Sequence, residues 1–151
     1  MKRALVTGAT SGIGRQTALR LAELGFEVCF GARNPLLALS LQQQLTQINP
    51  RGRHHWLQLD LSSFQSVRAF ATAVGEFDFD LLVNNAGAKI ESPRKLTEDG
   101  IEWHLGVNHF SHFLLTTMLL PQINTPAAVG EMLLQVDKMN RLIFALENKI
   151  F

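Results

Sequence analysis

The sequence has little of several features that mark secreted, membrane-spanning or nucleic-acid-binding proteins. It contains a single cysteine, Cys29, in 151 residues, so no internal disulfide can form and a reducing compartment is expected. No apolar run approaches the ~18 residues that a membrane helix needs, and a strand-like segment begins directly after Met1, so no signal peptide is expected. The 14 basic and 13 acidic residues form no run of like charge, which gives no reason to expect nucleic acid. We therefore expect a cytoplasmic protein.

Tyrosine is absent altogether, although the chain has ten phenylalanines and two tryptophans. No phenol hydroxyl is therefore available as a proton donor or acceptor. His109 and His112 lie three residues apart on a predicted helix, but no carboxylate or cysteine accompanies them in register. We interpret both histidines as packing residues and Cys29 as a small core residue, and we predict no metal site.

Short apolar segments alternate with longer segments of helical period along most of the chain. We predict strands at 3–7, 26–31, 55–59 and 80–83, and helices at 12–24, 35–48, 63–74 and 97–120. Such alternation is typical of an α/β domain, a doubly wound parallel sheet with helices on both faces. We assign residues 1–121 to this domain.

Glycines dominate the turn between the first strand and the first helix, which has the sequence VTGATSGIGR. Gly8 allows a sharp turn, while Gly12 and Gly14 allow backbone to approach a phosphate and the helix to pack close to the sheet. The free N–H groups at the start of that helix would face the anion. The spacing G-x-x-x-G-x-G differs from that of a P-loop, and a tight turn without ligand remains an alternative.

Residues after the next three strands strengthen the prediction of a nucleotide site. Ala32 and Arg33 stand at the end of strand two, where an NAD site usually has an acid, and a guanidinium can bind a 2′-phosphate. This favours NADP over NAD, with a solvated surface charge as the alternative. Asp60 can bond an adenine edge or cap the following helix. The small residues of Asn84-Asn85-Ala86-Gly87 follow strand four, at the edge where ligands bind in such sheets.

Together, TGATSGIG at 7–14, Asp60, NNAG at 84–87 and VNHFSHF at 107–113 resemble the short-chain dehydrogenase/reductase family, most closely its retinol-dehydrogenase-like branch. The resemblance covers about residues 1–121 and implies a Rossmann-type sheet of order 3-2-1-4. It also implies hydride transfer between a nicotinamide and a small carbonyl or alcohol, with Asn108 as a catalytic residue. By resemblance, the pyrophosphate is held by Gly8, Ser11, Gly12, Ile13 and Gly14, the 2′-phosphate by Arg33, the adenine by Asp60 and Leu61, and the ribose by Asn85, Ala86 and Gly87.

The family also uses a Ser and a Tyr-x-x-x-Lys pair beyond the long helix, and this sequence does not contain them. It has no tyrosine, and residues 122–151 contain no serine. A positioned general acid–base contributes typically ~10²–10⁴-fold to a rate. Three hypotheses follow: an NADP-binding chain with little or no turnover, an oxidoreductase completed by a partner chain, and a non-catalytic binding or assembly module.

Residues 122–151 form a tail that departs from the family pattern. Its apolar residues recur at steps of four and three, at Met132, Val136, Met139, Ile143, Leu146 and Ile150, which predicts a helix over 131–151 preceded by a hinge at Gly130. With four strands, strand four would be an open edge. The tail could cover that edge or pair two copies, and 141–146 could instead be an edge strand. We expect a homo-oligomer formed through helix 97–120 or the tail.

Overall fold

A five-stranded parallel sheet forms the centre of the molecule. The computed structural model describes residues 1–75, 77–88, 95–123 and 129–131. The strands lie in the order β3-β2-β1-β4-β5, and the predicted order 3-2-1-4 is confirmed. Their bounds are β1 Arg3–Thr7, β2 Glu27–Ala32, β3 His55–Gln58, β4 Leu81–Asn84 and β5 Val129–Glu131.

Helices pack on both faces of the sheet, as the alternating pattern predicts. The first three are α1 Gly12–Glu23, α2 Pro35–Ile48 and α3 Phe64–Val74. The last helical stretch consists of α4 Trp103–Leu105, a π-helical turn Gly106–Phe110, α5 Ser111–Leu119 and a 3₁₀ turn Leu120–Gln122.

Alternate residues of the strands divide the apolar core into two parts. One face of the sheet, with Ala4 and Val6, packs against α1 and α2. The other face, with Leu5 and Leu82, packs against α3 and α5. Cys29 belongs to this second core and is fully buried, as predicted. The period-two alternation of the strands therefore requires helices on both sides.

The last helix begins later than the predicted residue 97. Thr97 donates its N–H to the carbonyl of Ile101 over 2.8 Å, and Gly100 adopts a φ of +77°. The Thr97 hydroxyl also accepts the N–H of Ile101. This turn excludes helical geometry, since side-chain bonds of threonine compete with the helix and left-handed glycine interrupts it. The helix starts at Trp103, where the Glu102 carboxylate accepts the N–H of Leu105.

The prediction that β4 is an open edge is wrong. β5 pairs with it in parallel, with Leu82 opposite Val129 and Asn84 opposite Glu131. Pairing satisfies backbone groups that the edge would otherwise expose. Gly130 therefore lies in a strand rather than a hinge, and the sheet extends past residue 121. The rest of the predicted tail helix, and the alternative strand at 141–146, lie outside the described residues.

Candidate functional site

A cavity of about 470 Å³ opens at the carboxyl ends of the first four strands. Its volume lies within the range of about 300–1,000 Å³ that is typical of small-molecule sites. All eleven residues that the sequence assigns to cofactor binding line it: Gly8, Ser11, Gly12, Ile13, Gly14, Arg33, Asp60, Leu61, Asn85, Ala86 and Gly87. The structure thus brings together segments separated by almost eighty residues of sequence.

The glycine turn packs directly on the loop that follows β4. Gly8 has a φ of +66°, and a Cβ placed there would lie 2.6 Å from the Cα of Ala86. A Cβ at Gly14 would collide with the carbonyl of Gly8 and the side-chain amide of Asn85. Both glycines are therefore needed for close packing between the turn, helix α1 and the loop.

The amino terminus of α1 is not capped by a side chain. Ser11 occupies the N-cap position in extended conformation and makes no side-chain cap bond. The first helical hydrogen bond runs from the N–H of Arg15 to the carbonyl of Ser11, at 3.1 Å. The N–H groups of residues 12–14 consequently have no acceptor within the helix, and together with the helix dipole they favour an anion.

Asn85 ties the loop after β4 to the end of β1. Its Nδ2 donates to the carbonyl oxygens of Thr7 and Gly8, at 3.0 and 3.2 Å. The Thr7 hydroxyl oxygen accepts the backbone N–H groups of Asn85 and Ala86, each at 3.0 Å. Nδ2 of Asn85 is thus bonded to main-chain carbonyls beside the cavity, whereas its buried Oδ1 has no hydrogen-bond partner among the described residues.

Asp60 and Arg33 lie at two separate points of the cavity wall. The Asp60 carboxylate accepts the N–H and the hydroxyl of Ser62, at 2.9 and 2.8 Å, which orients it after β3. The cap of α3 is Ser63, not Asp60. Arg33 is exposed directly after the buried Ala32. The wall near β2 therefore offers an accessible guanidinium to an incoming anion.

Asn108 lies in the π-helical turn and does not line the cavity. Its Oδ1 accepts the N–H of Ala88 at 2.9 Å, and its Nδ2 donates to the Ala88 carbonyl at 3.3 Å. Ala88 does line the cavity. Single π-helical turns are frequent at functional sites, and this one places the Asn108 amide against the loop after β4.

Several cavity residues carry no sequence signal that would have identified them. Trp103 and Val107 line the cavity wall from the last helical stretch. Thr10, Leu59 and Ala88 line it from the loops that follow the strands. The ammonium of Lys95 lies 3.5 Å from the centre of the Trp103 ring, a cation–π contact. The four-residue spacing of Trp103 and Val107 predicts that they share a helix face, but only if the residue at which the helix begins is known.

The described residues contain no group of three or more His, Cys, Asp or Glu side chains that could hold a metal ion. Burial raises the pKa of the Cys29 thiol to about 12, which keeps it protonated and unreactive. In the same part of the chain, no helix is both long and apolar enough to cross a bilayer.

Comparisons with known proteins agree with this geometry. The family model described as short chain dehydrogenase matches residues 2–132. Mouse polyprenol dehydrogenase is 47% identical over 130 residues, which are 84% of this chain and 38% of that protein. Human retinol dehydrogenase 13 is 39% identical over 132 residues, with the match covering 83% of this chain and 38% of that protein. The chain thus spans less than two-fifths of these relatives.

A solved structure of an NADP active-site complex has the same fold. The RhlG protein of Pseudomonas aeruginosa superposes with a TM-score of 0.72 and 26% sequence identity, covering 99% of this chain and 67% of that protein. The matching family model, the curated relatives and the shared Rossmann-type sheet lead to one conclusion: the chain belongs to the short-chain dehydrogenase family.

Proposed function

We propose that the cavity binds a nicotinamide dinucleotide, NADP(H) in preference to NAD(H), and that the chain derives from a carbonyl or alcohol oxidoreductase. The observation that carries the proposal is the convergence of the uncapped α1, the glycine turn and the loop after β4 on one cavity. The N–H groups of residues 12–14 provide donors for the pyrophosphate. We expect Asp60 and Leu61, which line the cavity, to contact the adenine.

Arg33 supports the preference for NADP(H). It is exposed on the cavity wall after β2, and the residue before it is alanine rather than an acid. A carboxylate here would repel a 2′-phosphate, whereas a guanidinium can bind it through two hydrogen bonds. The NADP complex of the RhlG protein agrees with this choice.

Fluorescence titration with NADPH and NADH tests this preference. Arg33→Ala should weaken NADPH binding by about tenfold or more because a charged, two-bond contact to phosphate is lost. NADH affinity should hardly change. Arg51→Ala is the matched control, since Arg51 is exposed in the turn before β3 and does not line the cavity. Equal losses for NADPH and NADH in Arg33→Ala would contradict the proposed role.

Hydride transfer by this chain on its own should be slow. A bound nicotinamide would supply the hydride acceptor or donor, and Asn108 would contribute by holding Ala88 in the cavity wall. The sequence has no tyrosine, and loss of a positioned general acid–base lowers a rate by ~10²–10⁴-fold. An assay of generic aldehydes and ketones with NADPH tests this, and turnover typical of ordinary dehydrogenases would refute it.

The alternative is a non-catalytic dinucleotide-binding or assembly module, which we place in the cytoplasm. The missing tyrosine favours this alternative. So do Phe110, Phe113 and Leu120, which are exposed along the last helical stretch, because exposed apolar side chains on one helix favour self-association. Light scattering of the full chain and of Phe113→Ser separates the cases. A full chain that is dimeric and a Phe113→Ser variant that is monomeric would support assembly through this helix. If both are monomeric, the helix does not mediate self-association.

A further inference from the structure

A chain of buried hydrogen bonds runs beneath the cavity through His112. The Thr7 hydroxyl lies 2.9 Å from Nε2 of His112, and Nδ1 of His112 lies 3.2 Å from the backbone carbonyl of Asn108. His112 is 3% exposed and does not line the cavity. It connects the end of β1 with the π-helical turn, two segments a hundred residues apart.

The partners of this chain determine which nitrogen of His112 carries the proton. The Thr7 oxygen already accepts two backbone N–H groups, so its own proton is directed to Nε2. A carbonyl can only accept, so Nδ1 must donate to Asn108. His112 is therefore neutral, with the proton on Nδ1, and every bond in the chain has a donor and an acceptor.

This series of hydrogen bonds contacts the cavity wall at two places. Thr7 holds the N–H groups of Asn85 and Ala86, while the side chain of Asn108 holds Ala88. His112 joins Thr7 to Asn108. The loop at 85–88 is thus attached at both ends to groups that are joined through His112.

We propose that His112 is a positioning residue that sets the loop at 85–88 and the π-helical turn in the arrangement that accepts the dinucleotide. The inference rests on the proposed function, since it concerns how the same cavity is shaped. His112 acts through Thr7 and Asn108 and touches neither the dinucleotide nor a substrate.

The tautomer provides a test that needs no cofactor. Long-range ¹H–¹⁵N correlation spectra of the ¹⁵N-histidine-labelled full chain should show a neutral histidine protonated on Nδ1 whose signals are missing from His112→Gln. The signals of His55 and His104, whose Nδ1 atoms also face oxygen acceptors, should remain in that variant. An Nε2–H tautomer, or a charged ring at pH 7.5, would overturn the proposal. If the tautomer is as assigned, adding NADPH should shift these signals because the loop is coupled to the ring.

Substitutions test the positioning itself. His112→Phe keeps the ring volume but removes both hydrogen bonds, and it should weaken NADPH binding by about tenfold or more. His112→Gln can both donate and accept, so it should recover part of that loss. His54→Phe is the matched control: His54 is equally buried but bridges groups at the opposite edge of the sheet. That variant should change NADPH affinity by less than about twofold.

Amide hydrogen exchange separates failure of this proposal from failure of the proposed function. In His112→Phe, the Asn85 and Ala86 amides should exchange faster, while in His54→Phe they should not. If the wild-type chain binds no NADPH but exchange and tautomer behave as stated, the dinucleotide function fails and the positioning of the loop stands. Wild-type NADPH affinity and unchanged exchange in His112→Phe would refute the positioning role.

Discussion

Within the described residues, the amino and carboxyl edges of the sheet each contain a buried histidine that bridges two chain segments. At the carboxyl edge, the backbone N–H groups at the start of α1 have no side-chain cap. At the amino edge, Nδ1 of His54 accepts the N–H of Val28 and Nε2 donates to the carbonyl of Asn49. Gln42 in turn donates to the His54 carbonyl. The ring and carbonyl of His54 are thus satisfied by groups of the same edge.

At the carboxyl edge the histidine has the opposite tautomer, and the helix beside it starts without a cap. His112 accepts through Nε2 and donates through Nδ1, while Ser11 makes no cap bond to α1. Asn34 at the start of α2, by contrast, accepts the N–H groups of Leu36 and Leu37. α1 and α2 begin after neighbouring strands but differ in their amino-terminal caps. The uncapped helix, α1, belongs to the candidate anion site.

The largest expected effect comes from replacing one tightly packed glycine at each edge with alanine. Gly14→Ala should weaken NADPH binding by about a hundredfold, because the new methyl group displaces α1 from Gly8 and Asn85. Gly52→Ala is the counterpart at the amino edge, where a Cβ would lie 2.6 Å from Nε2 of His54. Urea denaturation should show destabilisation in both variants. Loss of NADPH affinity in Gly52→Ala would break the distinction between the edges.

Acid should destabilise the fold through both histidines. Burial lowers the pKa of His112 from 6.5 to about 4, and burial also lowers the pKa of His54. A lowered folded-state pKa means that the unfolded chain binds the proton first, so stability is complete above about pH 6.5 and falls as the pH drops toward 4. The His112 contribution over this window is about 3 kcal/mol.

Urea denaturation at half-unit steps from pH 7.5 to 4 measures this loss. Replacing His112 with Gln should reduce the slope of unfolding free energy against pH by about 1.4 kcal/mol per unit within the window. An unchanged slope would mean that His112 takes up a proton as readily in the folded chain as in the unfolded chain, contrary to its two hydrogen bonds.

The smallest expected effect is the difference in stability between removing the cap residue of α2 and that of α1. Asn34→Ala should lower the unfolding free energy by about 1 kcal/mol because it removes a two-bond cap. Ser11→Ala should change it by less than about 0.5 kcal/mol because no cap bond is lost. Thermal or urea denaturation of both variants, side by side, gives the comparison. Equal losses would show that Ser11 caps α1 in solution.

Much of the fold was predictable because its elements carry local signals. The apolar runs of β1 and β2, and the Asn34-Pro35 start of α2, each indicate their element within a residue or two. β5 carries no such signal: it has three residues, one of them Gly130. Its position depends on pairing with β4, a tertiary contact that the local sequence does not encode.

The candidate site divides in the same way. Glycines at fixed spacing identified the cavity, because the backbone geometry there allows little else at Gly8. The sequence predicts His112 only as a packing residue, because its hydrogen-bond partners, the Thr7 hydroxyl and the Asn108 carbonyl, lie on another segment and on the main chain. The start of the last helix was misplaced because a threonine turn ahead of Gly100 has the composition of a helix start.

The contact between Gly8 and Ala86 limits how this protein could be re-engineered. Since the Cα of Ala86 lies 2.6 Å from where a Cβ at Gly8 would stand, Gly8 can receive no side chain unless the loop after β4 retreats. Attempts to change the proposed nucleotide preference are better directed at the solvent-facing end of β2, where the Arg33 side chain is accessible.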